Sequence, residues 1–307
     1  MRTKRFKSWL VVGGGALLLA AATTAGVALG SPARSDKGSP IEQAAAKGTA
    51  AGRAHFNFML SITGGKGLPA GGITLGGKGG FDSKQKTGDF TLDLGALAAS
   101  LGAATGGKAN SIPKTIEIIT INGVVYIHLP TFAKQLGPGK EWLKIDPKTL
   151  PKTATRGVNP SSFTKLDAQQ VLTKLAGSVS VKKIGTATIT GATTTQYRAT
   201  VDLTKLIASF VPASQAAQAA KAQQALAKAG LKTIPIDFYI GPLGFIRRVS
   251  LALSNLKVQT GTPPVSIKMT LDFSDWGTAT INVTAPPAAK TADAAKLLGG
   301  LLGGTTG

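Results

Sequence analysis

The sequence contains no cysteine. That absence removes disulfides, thiolate metal sites, a cysteine nucleophile and an acylated lipoprotein cysteine, while leaving the compartment open. Histidine is nearly as scarce, with His55 and His128 the only imidazoles. Two imidazoles among fourteen scattered acids do not supply zinc-ligand spacing, and no G-x-S-x-G elbow supports a Ser-His-Asp triad. Aromatics make up only 6% of the chain. Acids are also few, 14 against 35 Lys and Arg, for a formal charge of +21, yet most basic residues stand singly. A nucleic-acid binder clusters its cations beside stacking aromatics, so dispersed charge points instead to an anionic envelope surface. No nucleic-acid partner and no cofactor are expected.

What is present is apolar and light: 43% hydrophobic residues, 39 glycines and many Ala, Thr and Ser, the composition of a turn-rich β protein. Arg2, Lys4, Arg5 and Lys7 precede an uncharged run from Ser8 to Gly30, in which Ala28 and Gly30 are spaced like a cleavage site. This reads as an export signal. Left uncut, the run is about long enough to anchor the chain in a bilayer, so residues 1–30 are a signal peptide or an N-terminal anchor. Residues 31–52 read as a tether and the start of a first helix around Ile41 to Lys47. Residues 53–287 read as a single domain, and 288–307 as a C-terminal tail.

From His55 onward the period is two. Phe56, Phe58, Leu60 and Ile62 alternate with His55, Asn57, Met59 and Ser61. The same alternation runs through Tyr197 to Leu203, Ile234 to Ile240, Phe245 to Leu253 and Val265 to Phe273, as expected for antiparallel sheet with one wet face. Asn122-Gly123 is a hairpin signal, and Gly241-Pro242-Leu243-Gly244 is a second turn. Asp167 caps a short helix closed by Gly177, Pro212 opens an Ala/Gln-rich helix that Gly230 ends, and Gly95 to Thr105 is a further helical segment. About ten strands with a few helices result.

Several motifs resemble chemistry without supplying it. Gly72 to Gly80 has the glycine and lysine spacing of a phosphate loop, but Gly79 stands where a hydroxyl is needed and no helix follows, so it reads as flexible β-loop. Ser162-x-x-Lys165 and Lys86-Thr87-Gly88 occur in reverse order for a penicillin-recognising enzyme, with no S-D-N between them. Leu150 to Ala154 resembles a sortase signal but lies mid-chain, and Asn282-Val283-Thr284 is a sequon with meaning only in a glycosylating host. In YIHLPTFAKQLGPGKEWLKID, Tyr126 to Asp146, the reactive-looking side chains fall on alternating strand positions around a short excursion from Pro130 to Gly139, and read as scaffold.

That stretch and three others, TTQYRATVDLTKL, IPIDFYIGPLGFIRRVSL and DFSDWGTATINVTAPPAAKTAD, follow one another in an order that resembles the actinobacterial LppX/LprG-type envelope lipoproteins, grouped with LolA-like lipid carriers. The resemblance covers roughly residues 41 to 293. It implies an α+β fold, mainly antiparallel β, in which a strongly curved half-barrel carries helices on its concave face over an apolar cavity for acyl chains. The chain departs from those relatives in lacking the lipidated cysteine. It carries over no catalytic residue, so a non-enzymatic protein is expected. The implied partners are lipid or lipoglycan acyl chains, a membrane surface with anionic lipids, and a membrane transporter; the implied location is the extracytoplasmic face of the envelope.

An acyl chain needs only smooth apolar surface, at about 0.8 kcal/mol per buried methylene. The candidate cavity residues are therefore the apolar strand positions Phe56, Phe58, Leu60, Ile62, Val125, Ile127, Val201, Ile236, Phe238, Val249 and Leu251, with Leu172 and Leu175 from the Asp167 helix. The competing expectation is a structural or sensory ectodomain whose core is filled, and which engages an anionic envelope polymer or a partner protein.

Overall fold

The computed structural model describes residues 38–65, 68–69, 71–104, 113–149, 179–202, 220, 223–224, 227, 230–256 and 263–297. The export segment, the Asp167 helix with Leu172 and Leu175, and the S-x-x-K and sortase-like motifs lie outside them. Of the Ala/Gln-rich helix, Ala220, Gln223, Gln224 and Ala227 are helical, and Gly230 at φ +78° donates back to the Ala227 carbonyl at 3.0 Å. Among the described residues no helix is long and apolar enough to cross a membrane.

The first helix, α1 (Pro40–Ala51), begins where the sequence offers a capping box. The Glu42 amide donates to Ser39 Oγ at 3.3 Å and the Ser39 amide donates to Glu42 Oε2 at 2.7 Å, satisfying two otherwise orphaned amides. Gly52, at φ +78°, ends it in the left-handed region. Three strands follow: β1 (Arg53–Gly64), β2 (Ile73–Asp82) and β3 (Thr87–Asp93). The helix α2 (Gly95–Ala104) packs on β2. Then come β4 (Thr115–Ile121) and β5 (Val124–His128), joined by Asn122 and Gly123 at φ 51° and 81°, the paired positive φ of a tight hairpin turn. A 3-10 turn (Pro130–Phe132) and the single-turn α3 (Ala133–Leu136) form the excursion before β6 (Trp142–Ile145). The chain continues through β7 (Val179–Ile189), β8 (Ala192–Asp202), β9 (Thr233–Ile240), β10 (Ile246–Leu256), β11 (Val265–Ser274) and the three-residue β12 (Thr291–Asp293).

Among the described residues, twelve strands form one sheet in the order β12-β6-β5-β4-β3-β2-β1-β11-β10-β9-β8-β7. The sheet is curved and unclosed, the mainly antiparallel half-barrel of the sequence reading. Neighbours pair antiparallel except β12, which lies parallel to β6. Two strands exceed the sequence expectation. Thr291–Asp293, in the stretch read as tail, joins the sheet edge. The glycine-rich stretch read as flexible loop is β2, hydrogen-bonded on both sides, because its neighbours' side chains supply the packing its glycines lack.

Candidate functional site

The register fixes which residues share a face, because residues directly opposite one another project to the same side. One row runs Ile236, Leu251, Met269, Leu60 and Leu75 across β9, β10, β11, β1 and β2. The next runs Phe238, Val249, Leu271, Phe58, Gly77, Leu92 and Ile116 from β9 to β4. A third runs Phe273, Phe56, Gly79, Phe90, Ile118, Ile127 and Leu143 from β11 to β6. Val201 opposes Ile234, and Val125 opposes Thr120 and Ile145, in the same phase. All eleven candidate residues within the described part thus lie on one apolar face.

They are not equally buried on it. Phe56, Phe58 and Leu60 are almost fully buried, at 4%, 7% and 5% exposure, in a core with Ala54, Phe81, Phe90, Leu92, Leu94 and Leu271. Ile62 and Val249 are half-buried and pack against that core. Val201 is buried, whereas Ile236, Phe238 and Leu251 on one wing and Val125 and Ile127 on the other are half-buried. The central strands therefore carry a packed core, flanked by two wings of partly accessible apolar side chains.

Glycines in β2 explain how the core aromatics fit. Gly79 sits between Phe56 and Phe90, and the two rings stack across it at 5.7 Å between centroids. A Cβ on Gly77 would lie 2.7 Å from the Phe90 ring, so this glycine is also roofed by an aromatic side chain. At the same end of the sheet, Trp276 donates its indole N–H to the Ile246 carbonyl at 2.8 Å and packs on Phe81, Phe245 and Phe273. Lys47 of α1 lies 5.0 Å over the Phe245 ring, and Gly48 leaves room for the indole, whose edge would be 3.0 Å from a Cβ there. An aromatic plug closes this end of the apolar face.

No protein-family model matches the chain, and no curated protein matches it. Among solved structures it is similar to the lipoprotein LppX of Mycobacterium tuberculosis, at 14% identity and a TM-score of 0.41 over 80% of this chain and 96% of that one. It is similar also to LprF of Mycobacterium bovis, at 17% and 0.38 over 81% and 99%. The Pseudomonas aeruginosa MucA/MucB complex gives a further match, at 10% and 0.32 over 83% and 63%. The first two are the neighbours that the LppX/LprG resemblance leads one to expect. At these TM-scores they assign neither site nor ligand, which rest on the geometry of this chain.

The opposite face is polar and laced with ion pairs. Arg198 forks onto Asp237 at 2.7 and 2.8 Å, and Arg248 makes the same bidentate contact with Asp272. His128 stacks on Trp142 at 4.6 Å, beside Glu117 and Glu141, so the reactive-looking residues of the Tyr126 to Asp146 stretch cover this outer face. His55 meets Asp275 at 2.8 Å; its hydrogen bond, then that of Ser274, holds the Asp275 carboxyl below its ordinary value. Burial raises the Asp89 carboxyl above its own, partly offset by the His55 charge. Among the described residues no group of three or more acid or imidazole side chains is placed to hold a metal.

Sequence reasoning omitted Phe81, Phe90, Leu92 and Trp276 from the candidate set. Phe90 and Leu92 alternate in TGDFTLD, a signal that was legible in itself but was overshadowed by the adjoining glycine-rich run. Trp276 lies in a turn, where periodicity has no hold.

Proposed function

We propose that the protein is a non-enzymatic binder and carrier of lipid or lipoglycan acyl chains, acting in the extracytoplasmic envelope. The observation supporting this reading is the continuous apolar face, on which a packed centre is flanked by two wings of half-buried apolar side chains. Along the β9 wing, from half-buried Ile234 through Ile236 and Phe238 to Ile240, the face offers about 20 Å of apolar track, at about 3.3 Å per residue. A chain of about sixteen carbons laid against it gains on the order of 12 kcal/mol gross, before ordering costs. Because Trp276 and α1 close the Phe56 end, the chain enters from the end marked by Ile62, Leu253 and Ile267. The dispersed positive charge brings this carrier to anionic membranes, where a transporter is its expected partner.

A second reading follows from the aromatic packing itself. The Phe56–Phe90 stack and the Trp276 cluster fill the central strands as a structural core does. In that case the protein is an ectodomain with a filled core that binds an envelope polymer or partner protein.

Native mass spectrometry with organic extraction separates the two, using full-length protein made in an actinobacterial host and purified without harsh detergent. Leu251→Arg and Ile127→Arg alter the wings while leaving the buried Phe56 to Leu60 core intact. A stoichiometric co-purified lipid, lost in either variant with the thermal transition retained, supports the carrier. A bare mass that persists after incubation with phospholipid vesicles overturns it and favours the filled-core ectodomain.

A further inference from the structure

After β11 the chain does not turn back beside its neighbour. It leaves at Ser274 and rejoins the sheet at Thr291, where β12 pairs with Trp142 on the far side of β1 to β5. Six strand steps at about 4.8 Å separate β11 from β6, a span of about 29 Å. The connecting strap crosses on the outer face. Its Ile281 lies over Gly80, whose Cβ position opposite His55 would be only 2.3 Å from the isoleucine Cδ1. Beyond Gly80, residues alternate along the strap between half-buried Ile281 and Val283 and exposed Asn282 and Thr284. On the polar face of the strands between its two ends, Ile119 is only 8% exposed and Asp89 is half-buried.

The far end is firmly tied. The Glu141 amide donates to Lys290 O at 2.9 Å, Lys140 Nζ donates to Ala288 O at 3.1 Å, and β12 adds its ladder. The near end starts from the Trp276 turn, which the aromatic plug and the Gly277 amide, donating to Arg53 O at 2.8 Å, hold in place; beyond that turn the strap's polar tie is to His55. One ring nitrogen of His55 faces the Asp275 carboxylate at 2.8 Å and the other faces the Thr280 carbonyl at 3.3 Å. Both partners are acceptors, so only the doubly protonated ring donates to both. A neutral ring in either tautomer turns a lone pair toward an oxygen.

We propose that the strap is a proton-operated latch, held at its near end by His55 in its charged form and released when that ring gives up a proton. The charged groups facing this ring come from three directions. Asp275, in the turn after β11, and Asp89 of β3 face it as carboxylates, while Arg247 of β10 acts on Asp275; the neighbouring Arg53–Asp82 pair is closed on itself at 3.1 Å. Docked, the strap bridges β11 to β6 and fixes the curvature of the strands between them. Undocked at His55, it lets that part of the sheet flatten and the inner face widen. The device belongs to the outer face and stands whether or not the inner face takes a lipid.

The absence of native cysteine gives a clean probe. Single substitutions Val283→Cys, facing the sheet, and Asn282→Cys, facing solvent, are alkylated in the full-length protein between pH about 5.5 and about 8.5, a range chosen to bracket histidine chemistry. Each rate is divided by that thiol's own thiolate fraction, read from its ultraviolet absorbance, before the ratio is taken. That ratio is expected to rise about fivefold with pH, the equilibrium change that loss of one hydrogen bond produces. His55→Gln is expected to remove the pH dependence. Asp275→Asn is expected to hold the ratio low throughout, because the amide can donate to the unprotonated ring nitrogen and the second proton is no longer needed. A ratio that stays flat in the parent, or keeps its slope in either variant, overturns the latch, with unchanged circular dichroism confirming that each protein is folded.

Discussion

Replacing Gly79 by alanine tests the account of β2 most directly. A Cβ at Gly79 would lie 2.1 Å from the Asp89 carbonyl oxygen and 3.0 Å from the tip of the Phe56 ring. At Gly76, three residues earlier in the same strand, nothing lies nearer than the Phe58 carbonyl oxygen at 4.0 Å. Both substitutions reduce the freedom of the unfolded chain, a gain of about 0.5–1 kcal/mol. Gly79→Ala must in addition drive a backbone oxygen about 1 Å out of the β2–β3 ladder and tilt a ring that stacks on Phe90. Overpacking costs about 1–3 kcal/mol, and a strand hydrogen bond left unmade about 1–3 kcal/mol more. The net difference between the variants is therefore about 3 kcal/mol, with Gly76→Ala neutral or slightly stabilising. In urea unfolding with a slope of about 3 kcal/mol/M, the Gly79→Ala midpoint falls about 1 M below that of Gly76→Ala. Midpoints that coincide would mean that the segment is the loose loop its composition suggests, and that the aromatic stack over it is not a stabilising contact.

Other consequences follow from groups on both faces. The carboxyl of Asp89 has a raised pKa in the folded chain, so its ionisation opposes folding: the penalty is absent in acid, develops as pH rises from the ordinary 3.8 through the folded value, and is constant above it. Asp89→Asn is accordingly expected to stabilise the protein at pH about 7 and to lose that advantage at pH about 3, measured by urea unfolding at both. Asp275 has the opposite sign: its lowered pKa supplies stability that is present above 3.8 and lost as pH falls through the folded value. Asp275→Asn should therefore destabilise at pH about 5.5, where the strap is docked and His55 donates to the carboxylate, and become neutral in strong acid. Trp276→Ala removes the hub of the aromatic plug and is expected to cost about 3 kcal/mol in the same assay. A cost below about 1 kcal/mol would show that the plug is peripheral.

Much of the fold was legible because alternation in a one-sided sheet is a repeated signal. Phe56, Phe58, Leu60 and Ile62 announce their face four times over, and the strands carrying Ile236, Val249 and Leu271 repeat it, so the shared face follows from phase once pairing is known. Burial along that face was not legible in the same way. Phe58 and Leu251 have the same phase, yet one lies in the core and the other on a wing, a difference made by position in the strand order. Glycine misled for a related reason. Gly77 and Gly79 carry no packing signal of their own, and the side chains that make their segment a strand belong to Phe90 in β3 and Phe56 in β1. The strap escaped notice because its near anchor joins His55 to Thr280 across 225 residues of sequence.

Curvature connects these features. Side chains on both faces of a sheet ordinarily resist strong bending, since residues on the inner side crowd as the strands curl. Gly77 and Gly79 remove two of those side chains from the inner face at its centre, and Gly76 and Gly80 remove two from the outer face of the same strand. The sheet is therefore least hindered from bending at β2, where the Phe56 and Phe90 rings fill the space the glycines leave on the apolar face and Ile281 of the strap fills that on the polar face. A bend stabilised from both sides fixes the distance between the two apolar wings. Lifting the strap removes the outer filler while leaving the inner stack in place, so the change expected at the wings is a partial opening with the core retained rather than unfolding.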